Sequence, residues 1–439
     1  MAVKNYFFLG IGGIGNSALA QYFKAQGYLV AGYDKTPSPI TEKLRQVDIP
    51  VQFDMDSQLL PHWVSSQHTQ IVVSAAIDEN QALFCYFKRN GFDIEKRAQT
   101  LANIANAKIC IAVAGTHGKT STLSYLTHIF ATAQVSFSAF VGGVLRGYET
   151  NFISKGSDYI LVEADEYDRS FLYLQPDHAA ITNIDPDHLD VYQSKTAFCD
   201  AFQTFAQQVK NSVIKGCPMP IEGVQLKQQL PSTYGYGTPK LEKTGYLVDL
   251  ALNGKLYPNT YVAAMGRHNL KNALTAAALA DQVGLAGSAI LDALGSFQGI
   301  HRRMAVTQLK DDLFMIDDYA HHPTEIEAVF SCLEERFPTA KKTIFFQPHL
   351  YSRTRDFMSA FANALARFDQ IFLLPIYPAR EEAISGITSK TLLARIDHDN
   401  KAIVSPDAVV DCVSQISKGI VAILGAGDIG LLPAKIKYD

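Results

Sequence analysis

The apolar run at residues 109–114, followed at once by Gly115-Thr116-His117-Gly118-Lys119-Thr120-Ser121, constrains this chain more than any other stretch. The run reads as a buried strand and residues 115–120 as a tight turn. Residues 122–130 read as a helix with Leu123, Leu126, Ile129 and Phe130 on one face. A strand, a glycine turn carrying Gly-Lys-Thr and a helix together form a phosphate cradle, because backbone N–H groups and the helix N-terminus point at anionic oxygens. Lys119 can reach terminal phosphates, and the Thr120 hydroxyl can ligate Mg²⁺. The full pattern has a glycine five residues before Gly118, where this chain has Val113, so the match is a shortened variant; the other reading is an ordinary glycine turn.

A chain of 439 residues has room for two to four domains at roughly 150 residues each. With 47% hydrophobic and 19% charged residues, the composition is that of a globular protein. A net charge of −4 gives no general attraction to nucleic acid or to an anionic membrane, so any anion site must be local. No run approaches about 18 apolar residues, so no spanning helix is expected. The N-terminus enters a strand after one lysine and does not read as a signal peptide. Six scattered cysteines without a Cys-x-x-Cys pair fit reduced thiols in a cytoplasmic protein and argue against a zinc site.

Before the phosphate turn, a strand at residues 5–9 runs into Gly10-Ile11-Gly12-Gly13-Ile14-Gly15, then a helix at 17–25 and a strand at 28–33 ending at Asp34. Three glycines and an acid about 20 positions on form a dinucleotide fingerprint, in which Asp34 could hold ribose hydroxyls. The turn could serve a nicotinamide, a flavin or another pyrophosphate such as a nucleotide sugar. A further strand at 70–74 ends at Ser74. After the phosphate turn, a strand at 159–162 ends at Glu163-Ala164-Asp165-Glu166, and one at 179–184 ends at Asp185-Pro186-Asp187-His188. Acids at such strand ends beside a phosphate loop serve Mg²⁺, which makes Glu163 the expected partner of Thr120 and His188 a candidate for a second ion. Residues 211–265 are rich in Pro and Gly, and Asn253-Gly254 between alternating segments signals a hairpin. Asn269 and Asn272, three apart on a first helical turn, could read a purine edge or could cap.

The last segment repeats the α/β alternation. Strands are expected at 314–316, 343–346, 370–374, 402–404 and 420–424, with helices at 324–336, 356–367 and 406–417. Gly425-Ala426-Gly427-Asp428-Ile429-Gly430 has no strand after it and reads as a structural turn. Arg353, with Arg355 nearby, could clamp a carboxylate.

Together these pieces resemble the Mur ligases, the ATP-dependent amide-forming ligases of peptidoglycan synthesis. The motifs are Gly-Thr-His-Gly-Lys-Thr at 115–120, Glu-Ala-Asp-Glu-Tyr-Asp at 163–168, Asp-Pro-Asp-His-Leu-Asp at 185–190, Gly-x-His-Asn-x-x-Asn at 266–272 and Arg302-Arg303. Within the family, residues 10–15, Asp-Asp-Tyr-Ala-His-His-Pro at 317–323 and Gln-Pro-His-x-Tyr-x-Arg-Thr at 347–354 are similar to the member that couples L-alanine to UDP-N-acetylmuramate. The position after His349 is often Arg in that member and is Leu350 here. The alternative is the relative that attaches a recycled tripeptide.

The resemblance implies an α/β fold in three domains. These are an N-terminal Rossmann-like UDP-sugar domain (1–105), a central P-loop-type ATPase with a parallel sheet and a β elaboration (106–300), and a C-terminal Rossmann-like amino-acid domain (301–439). It implies Gly12, Gly13, Ile14, Gly15, Asp34 and Ser74 at the UDP-sugar, and Gly115, Thr116, His117, Gly118, Lys119, Thr120 and Ser121 at the ATP phosphates. His268, Asn269, Asn272, Asp317 and Asp318 would line the nucleotide, and Arg302 and Arg303 would meet its phosphates. Two Mg²⁺ sites follow, one on Thr120 and Glu163 and one on His188. Tyr319, His321, His349 and Arg353 would surround L-alanine, with His321 as a candidate base. A cytoplasmic monomer or weak homodimer without nucleic-acid or membrane partners is expected. The rival classes are an oxidoreductase on the first glycine turn and a non-catalytic nucleotide switch.

Overall fold

Strand β1 (Asn5–Leu9) buries Phe7, Phe8 and Leu9 almost completely, so apolar side chains leave it on both faces and both must be covered. It pairs in parallel with β2 (Val30–Tyr33) on one side and β4 (Thr69–Val73) on the other. With β3 (Val51–Gln52) and β5 (Asp93–Lys96), the sheet order is β3-β2-β1-β4-β5. The order reverses at β1, and the crevice beyond its carboxyl end is where such sheets take ligands. Residues 10–15 sit there. The computed structural model describes residues 5–185, 192, 194–379 and 381–436.

The second sheet has seven strands in the order β12-β11-β10-β6-β9-β7-β8. These are β6 (Ile109–Ala114), β7 (Phe137–Leu145), β8 (Thr150–Ser154), β9 (Tyr159–Ala164), β10 (His178–Ile181), β11 (Ser212–Lys215) and β12 (Val224–Gln225). Only the β7–β8 pair is antiparallel. β6 lies between β10 and β9 with residues 110–114 fully buried, as its unbroken apolar run requires. β10 ends at Ile181, three residues before the expected end, because Thr182 and Asn183 turn to hydrogen-bond the phosphate turn.

The Pro- and Gly-rich segment forms a small antiparallel sheet from β13 (Gly235–Tyr236), β14 (Lys240–Glu242), β15 (Gly245–Leu252) and β16 (Lys255–Val262). Asn253 (φ 46°) and Gly254 (φ 77°) make the two-residue turn between β15 and β16, both with the positive φ that a hairpin of this kind needs.

The last sheet runs β17-β18-β22-β19-β20-β21, from β17 (Ala305–Lys310), β18 (Leu313–Asp318), β19 (Lys342–Phe346), β20 (Gln370–Leu373), β21 (Lys401–Ile403) and β22 (Gly419–Leu424). β17 is an antiparallel edge that the sequence did not announce; four of its six residues are polar or small. The helix expected at 356–367 begins earlier and breaks at Phe357 (φ −110°), giving Tyr351–Asp356 and Met358–Leu365. The one expected at 406–417 is a short 3₁₀ turn followed by Val409–Ser414.

The architecture is thus a three-domain α/β fold with three mainly parallel sheets and one small antiparallel one. By contact it forms two compact units. One comprises Met1–Glu242, Tyr246–Ala263 and Lys271–Gln298; the other comprises Lys243–Gly245, Ala264–Leu270 and Gly299–Asp439. In the first unit the helix Ile14–Ala25 rests on β7 and β8. The Tyr22 ring lies 5.4 Å from Phe140 and 6.0 Å from Phe152, and Asn151 Nδ2 donates to the Ile14 carbonyl (2.6 Å) and to Ser17 Oγ (2.9 Å). No helix among the described residues is long and apolar enough to cross a membrane.

Candidate active site

The phosphate turn leaves the carboxyl end of β6, at the middle of the seven-stranded sheet. Gly115 (φ 132°) and Gly118 (φ 82°) reverse the chain in backbone conformations that L side chains resist. A Cβ on Gly115 would lie 2.0 Å from Thr182 Oγ1, and one on Gly118 would lie 2.5 Å from Asn272 Oδ1. The end of β10 holds the turn in shape. His117 N–H donates to Asn183 Oδ1 (3.0 Å), Asn183 Nδ2 donates to the His117 carbonyl (2.9 Å), and Thr116 Oγ1 donates to the Asp185 carbonyl (2.8 Å). No side chain caps the helix Lys119–Thr132 that starts at Gly118, so its amide edge can face an anion. Ser121 is buried on the second residue beyond Lys119.

Thr120 Oγ1 donates to Glu163 Oε2 (3.2 Å), and Gly142 N–H donates to Glu163 Oε1 (2.6 Å). Burial pushes the Glu163 carboxyl up, while Gly142, Lys119 and Thr120 pull the other way. A desolvated carboxylate beside a threonine hydroxyl is a hard-oxygen donor pair of the sort Mg²⁺ uses when phosphates and waters supply the rest. Among the described residues no group of three acids, histidines or cysteines forms a complete metal cage. His188 lies outside the described residues.

Lys119 Nζ is 2.6 Å from Glu166 Oε2, 2.6 Å from the Gly115 carbonyl and 3.3 Å from the Thr116 carbonyl. Desolvation opposes its charge, but Glu166, Asp165 and Glu163 outweigh that and hold its pKa above the usual lysine value. Burial pushes Glu166 up to about 6 against the pull of Lys119. Sequence reasoning placed Glu166 in the acidic run without giving it a part. Asn183, which clasps His117, was also unassigned.

At the first glycine turn Asp34 Oδ2 accepts Gly12 N–H (2.7 Å), so this acid braces the turn. A Cβ on Gly12 would lie 2.7 Å from the Thr41 methyl, and one on Gly15 would lie 2.9 Å from an Arg97 guanidinium nitrogen. Arg97 therefore brings a cation to the turn that sequence reasoning did not name. Gly13 caps the helix Ile14–Ala25, and Ser74 N–H donates to the Leu9 carbonyl (3.1 Å) at the same strand edge. The structure thus brings Gly12, Gly13, Ile14, Gly15, Asp34 and Ser74 to one crevice.

The second unit gathers most of the remaining candidates at the carboxyl ends of β18, β19 and β22. Arg302 (φ 60°) donates through NH2 to the Gly425 carbonyl, its Nε is 3.8 Å from Asp317 Oδ1, and its guanidinium lies 5.0 Å from the Tyr319 ring centre. Arg303 lies 5.1 Å from the same ring. Asp318 accepts Met304 N–H (2.6 Å) and Ala320 N–H (2.8 Å); burial pushes it up to about 6, with Arg303 opposing. Its oxygens therefore brace the backbone. His321 Nδ1 is 3.0 Å from the Tyr319 carbonyl, and the His321 backbone N–H donates to Glu325 Oε2 (2.9 Å). Burial holds His321 down to about 4, and Arg353 is among the charges acting on it. The His321 and His349 rings lie 6.0 Å apart, and His349 stacks on Tyr377. His268, pushed down to about 4 by burial, feels Glu325 and Arg303. Asn269 Nδ2 donates to the Met265 carbonyl (2.9 Å), the bond of a residue tied to its own helix start. Asn272, three residues further along the same helix Arg267–Gln282, lies against Gly118.

The C-terminal glycine run does more than turn the chain. Its Gly425 carbonyl takes Arg302, Gln347 Nε2 donates to Asp428 Oδ1 (2.6 Å), and Ile429 N–H donates to Gln347 Oε1 (3.0 Å).

Three family descriptions match the chain in order: Mur ligase family, catalytic domain, at residues 5–109; Mur ligase middle domain at 113–280; and Mur ligase, glutamate ligase domain, at 302–432. The UDP-N-acetylmuramate–L-alanine ligase of Christiangramia forsetii is 41% identical over 99% of this chain and 97% of its own length. That of Flavobacterium johnsoniae is 41% identical with the same coverage. Among solved structures, the UDP-N-acetylmuramate–alanine ligase of Thermotoga maritima has a TM-score of 0.84 at 25% identity, covering 98% of each chain. A murein peptide ligase of Psychrobacter arcticus shares the fold at a TM-score of 0.74 and 21% identity, covering 99% of this chain and 98% of its own. On matches that run the length of the chain, with the phosphate turn and its carboxylates in place, the protein belongs to the Mur ligase family.

Proposed function

We propose that this protein is an ATP-dependent ligase that joins L-alanine to the lactyl carboxylate of UDP-N-acetylmuramate in peptidoglycan synthesis. The observation that carries the reading is the constellation of Lys119, Thr120 and Glu163 at the ends of β6 and β9, in a chain matching L-alanine ligases over 99% of its length. Residues 1–105 form the UDP-sugar domain, 106–300 the ATP domain and 301–439 the amino-acid domain. The crevice of Gly12, Gly13, Ile14, Gly15, Asp34 and Ser74 takes the UDP pyrophosphate, and Arg97 adds its charge there.

A carboxylate is a poor electrophile, so the γ-phosphoryl of ATP first moves onto it and gives an acyl phosphate. The free amine of L-alanine then attacks the acyl carbon, phosphate leaves, and the amide forms. Backbone N–H groups of residues 115–121 and the Lys119 ammonium offset charge that builds on the transferred group; Arg302 and Arg303 serve the same need. Thr120 and Glu163 would hold one Mg²⁺, which supplies Lewis-acid charge to the phosphates, and His188 a second. His268, Asn269, Asn272, Asp317 and Asp318 serve the nucleotide. Arg353 takes the alanine carboxylate, with Tyr319, His321 and His349 around the amino acid. A ring held near pKa 4 accepts a hydrogen bond from the amine better than it takes its proton, so His321 orients the amine and is a poor base. The enzyme works as a cytoplasmic monomer or weak homodimer.

Phosphate release with ATP, UDP-N-acetylmuramate and, in turn, alanine, serine, glycine and the tripeptide tests the proposal. Turnover should require the sugar nucleotide and be fastest with alanine. Fastest turnover with the tripeptide would transfer the chain to the recycling activity, and release without any amino acid would remove the ligase reading.

A further inference from the structure

The ammonium of Lys119 has three N–H donors, and in this structure three oxygens of the protein take them: Glu166 Oε2, the Gly115 carbonyl and the Thr116 carbonyl. A lysine that serves terminal phosphates must leave at least some of these partners when phosphates enter. The strongest is Glu166, whose side chain is 2% exposed against 14% for Lys119, so the pair is nearly dry and its charge-assisted bond is short. Glu166 is itself anchored: its carbonyl accepts the hydroxyl of Tyr192 (2.6 Å), a fully buried residue that carries Arg169 over its ring. Glu163, three residues earlier, faces Thr120, so the two glutamates of one run divide the turn between them.

We infer that Glu166 is a positioning residue that parks Lys119 against the loop carbonyls, and that nucleotide binds by taking the lysine from it. This rests on the nucleotide reading of residues 115–120. Two effects then oppose the incoming phosphates, the bond to be broken and the negative charge left nearby; in Glu166→Gln the charge is gone and the bond is weakened to one with a neutral acceptor. Exchange of the parked and phosphate-bound positions sets how readily the turn fills with ATP and empties of ADP.

The test is calorimetric titration of the full chain and of Glu166→Gln with MgADP. The variant should bind about tenfold more tightly, the size expected when a charged partner is replaced by a neutral one, and its KM for ATP should fall alongside. Loosening of the fold would weaken binding, so a gain separates this role from a merely structural one. Equal or weaker binding by a folded variant overturns the inference. Wild-type chain that binds no MgADP overturns the nucleotide reading and this inference with it. Crystals of the wild-type chain with and without MgADP give an answer that needs no variant. The Lys119–Glu166 separation should open from 2.6 Å to beyond about 4 Å, the usual limit of an ion pair, and a pair that stays closed on bound phosphates overturns the proposal.

Discussion

Lys119 and Arg353 differ in what they give the reaction, and kinetics should separate them. In the proposed reaction Lys119 supplies charge that matters most as the phosphoryl group moves. Lys119→Ala should cut kcat on the order of 10³-fold, with far-UV circular dichroism unchanged and a lower Tm because buried Glu166 loses its counter-charge. Near-normal turnover would remove the phosphate-loop assignment. In the proposed reaction Arg353 serves the amino acid only. Arg353→Ala should raise the KM for alanine by roughly ten- to a hundredfold, the worth of a charge-assisted carboxylate contact, while the KM for ATP stays within about twofold. Equal effects on both would make it structural. Lys119, Thr120 and Glu163 were legible in the sequence because few residue types can do their chemistry at that spacing. Glu166 was not distinguishable from Asp165 or Asp168. Which carboxyl faces the loop depends on how the chain bends after β9, where Asp168 (φ 53°) and Arg169 (φ 54°) both take left-handed conformations. That bend sends Asp168 away to Lys96 (3.4 Å) and leaves Glu166 on Lys119.

Turns fix side chains as firmly as strands do here. A Cβ on Gly430 would lie 1.9 Å from Arg302 Cζ, the far end of a flexible side chain. Gly430→Ala should therefore displace the Arg302 guanidinium from the Gly425 carbonyl and leave the backbone in place. We expect Tm within a few degrees of wild type, since surface-like adjustments cost about 0.5 kcal/mol, and kcat down about tenfold or more. A large fall in Tm with kcat retained would sink the idea that the glycine run positions Arg302. Among elements, the strands with unbroken apolar runs and the Asn253-Gly254 hairpin were readable from pattern alone. β7, β8 and β17 were not: β7 carries Gly142 and Gly143 within it, β8 has only two apolar residues, and β17 is an exposed edge. The break at Phe357 was hidden because no Pro or Gly marks it between residues 351 and 365.

At the scale of the molecule, acid should weaken the second unit. His268 and His321 are held near pKa 4 in the fold and titrate near 6.5 when unfolded. Between those values the unfolded chain binds a proton at each that the native chain does not, so stability falls as pH drops from 6.5 to 4. Asp318 works the other way. Its folded value near 6 exceeds the unfolded 3.8, so from pH 6 down to 3.8 the native state holds the extra proton. Within this unit two histidines outweigh one aspartate, so its stability falls as pH drops from 6 to 4. Asp318→Asn removes the opposing group and should steepen the acid-side fall relative to wild type in urea titrations. An unchanged slope would mean that Asp318 is ionised in the native state throughout that range. The three-sheet plan itself was legible, since each sheet begins with its own glycine turn or acidic strand end. The grouping of the first two sheets was not, because it depends on which helix faces which strand pair.

That grouping, made where the helix Ile14–Ala25 lies on β7 and β8, has a practical corollary. Cutting the gene after the first sheet, as the order of motifs invites, would strip Tyr22 from Phe140 and Phe152 and leave Asn151 without Ile14 and Ser17. A fragment starting near residue 107 should then come out of cells largely insoluble, whereas one ending near residue 298 and carrying both sheets should stay in the supernatant. Both glycine turns, at residues 10–15 and 115–120, thus stand on a single compact unit.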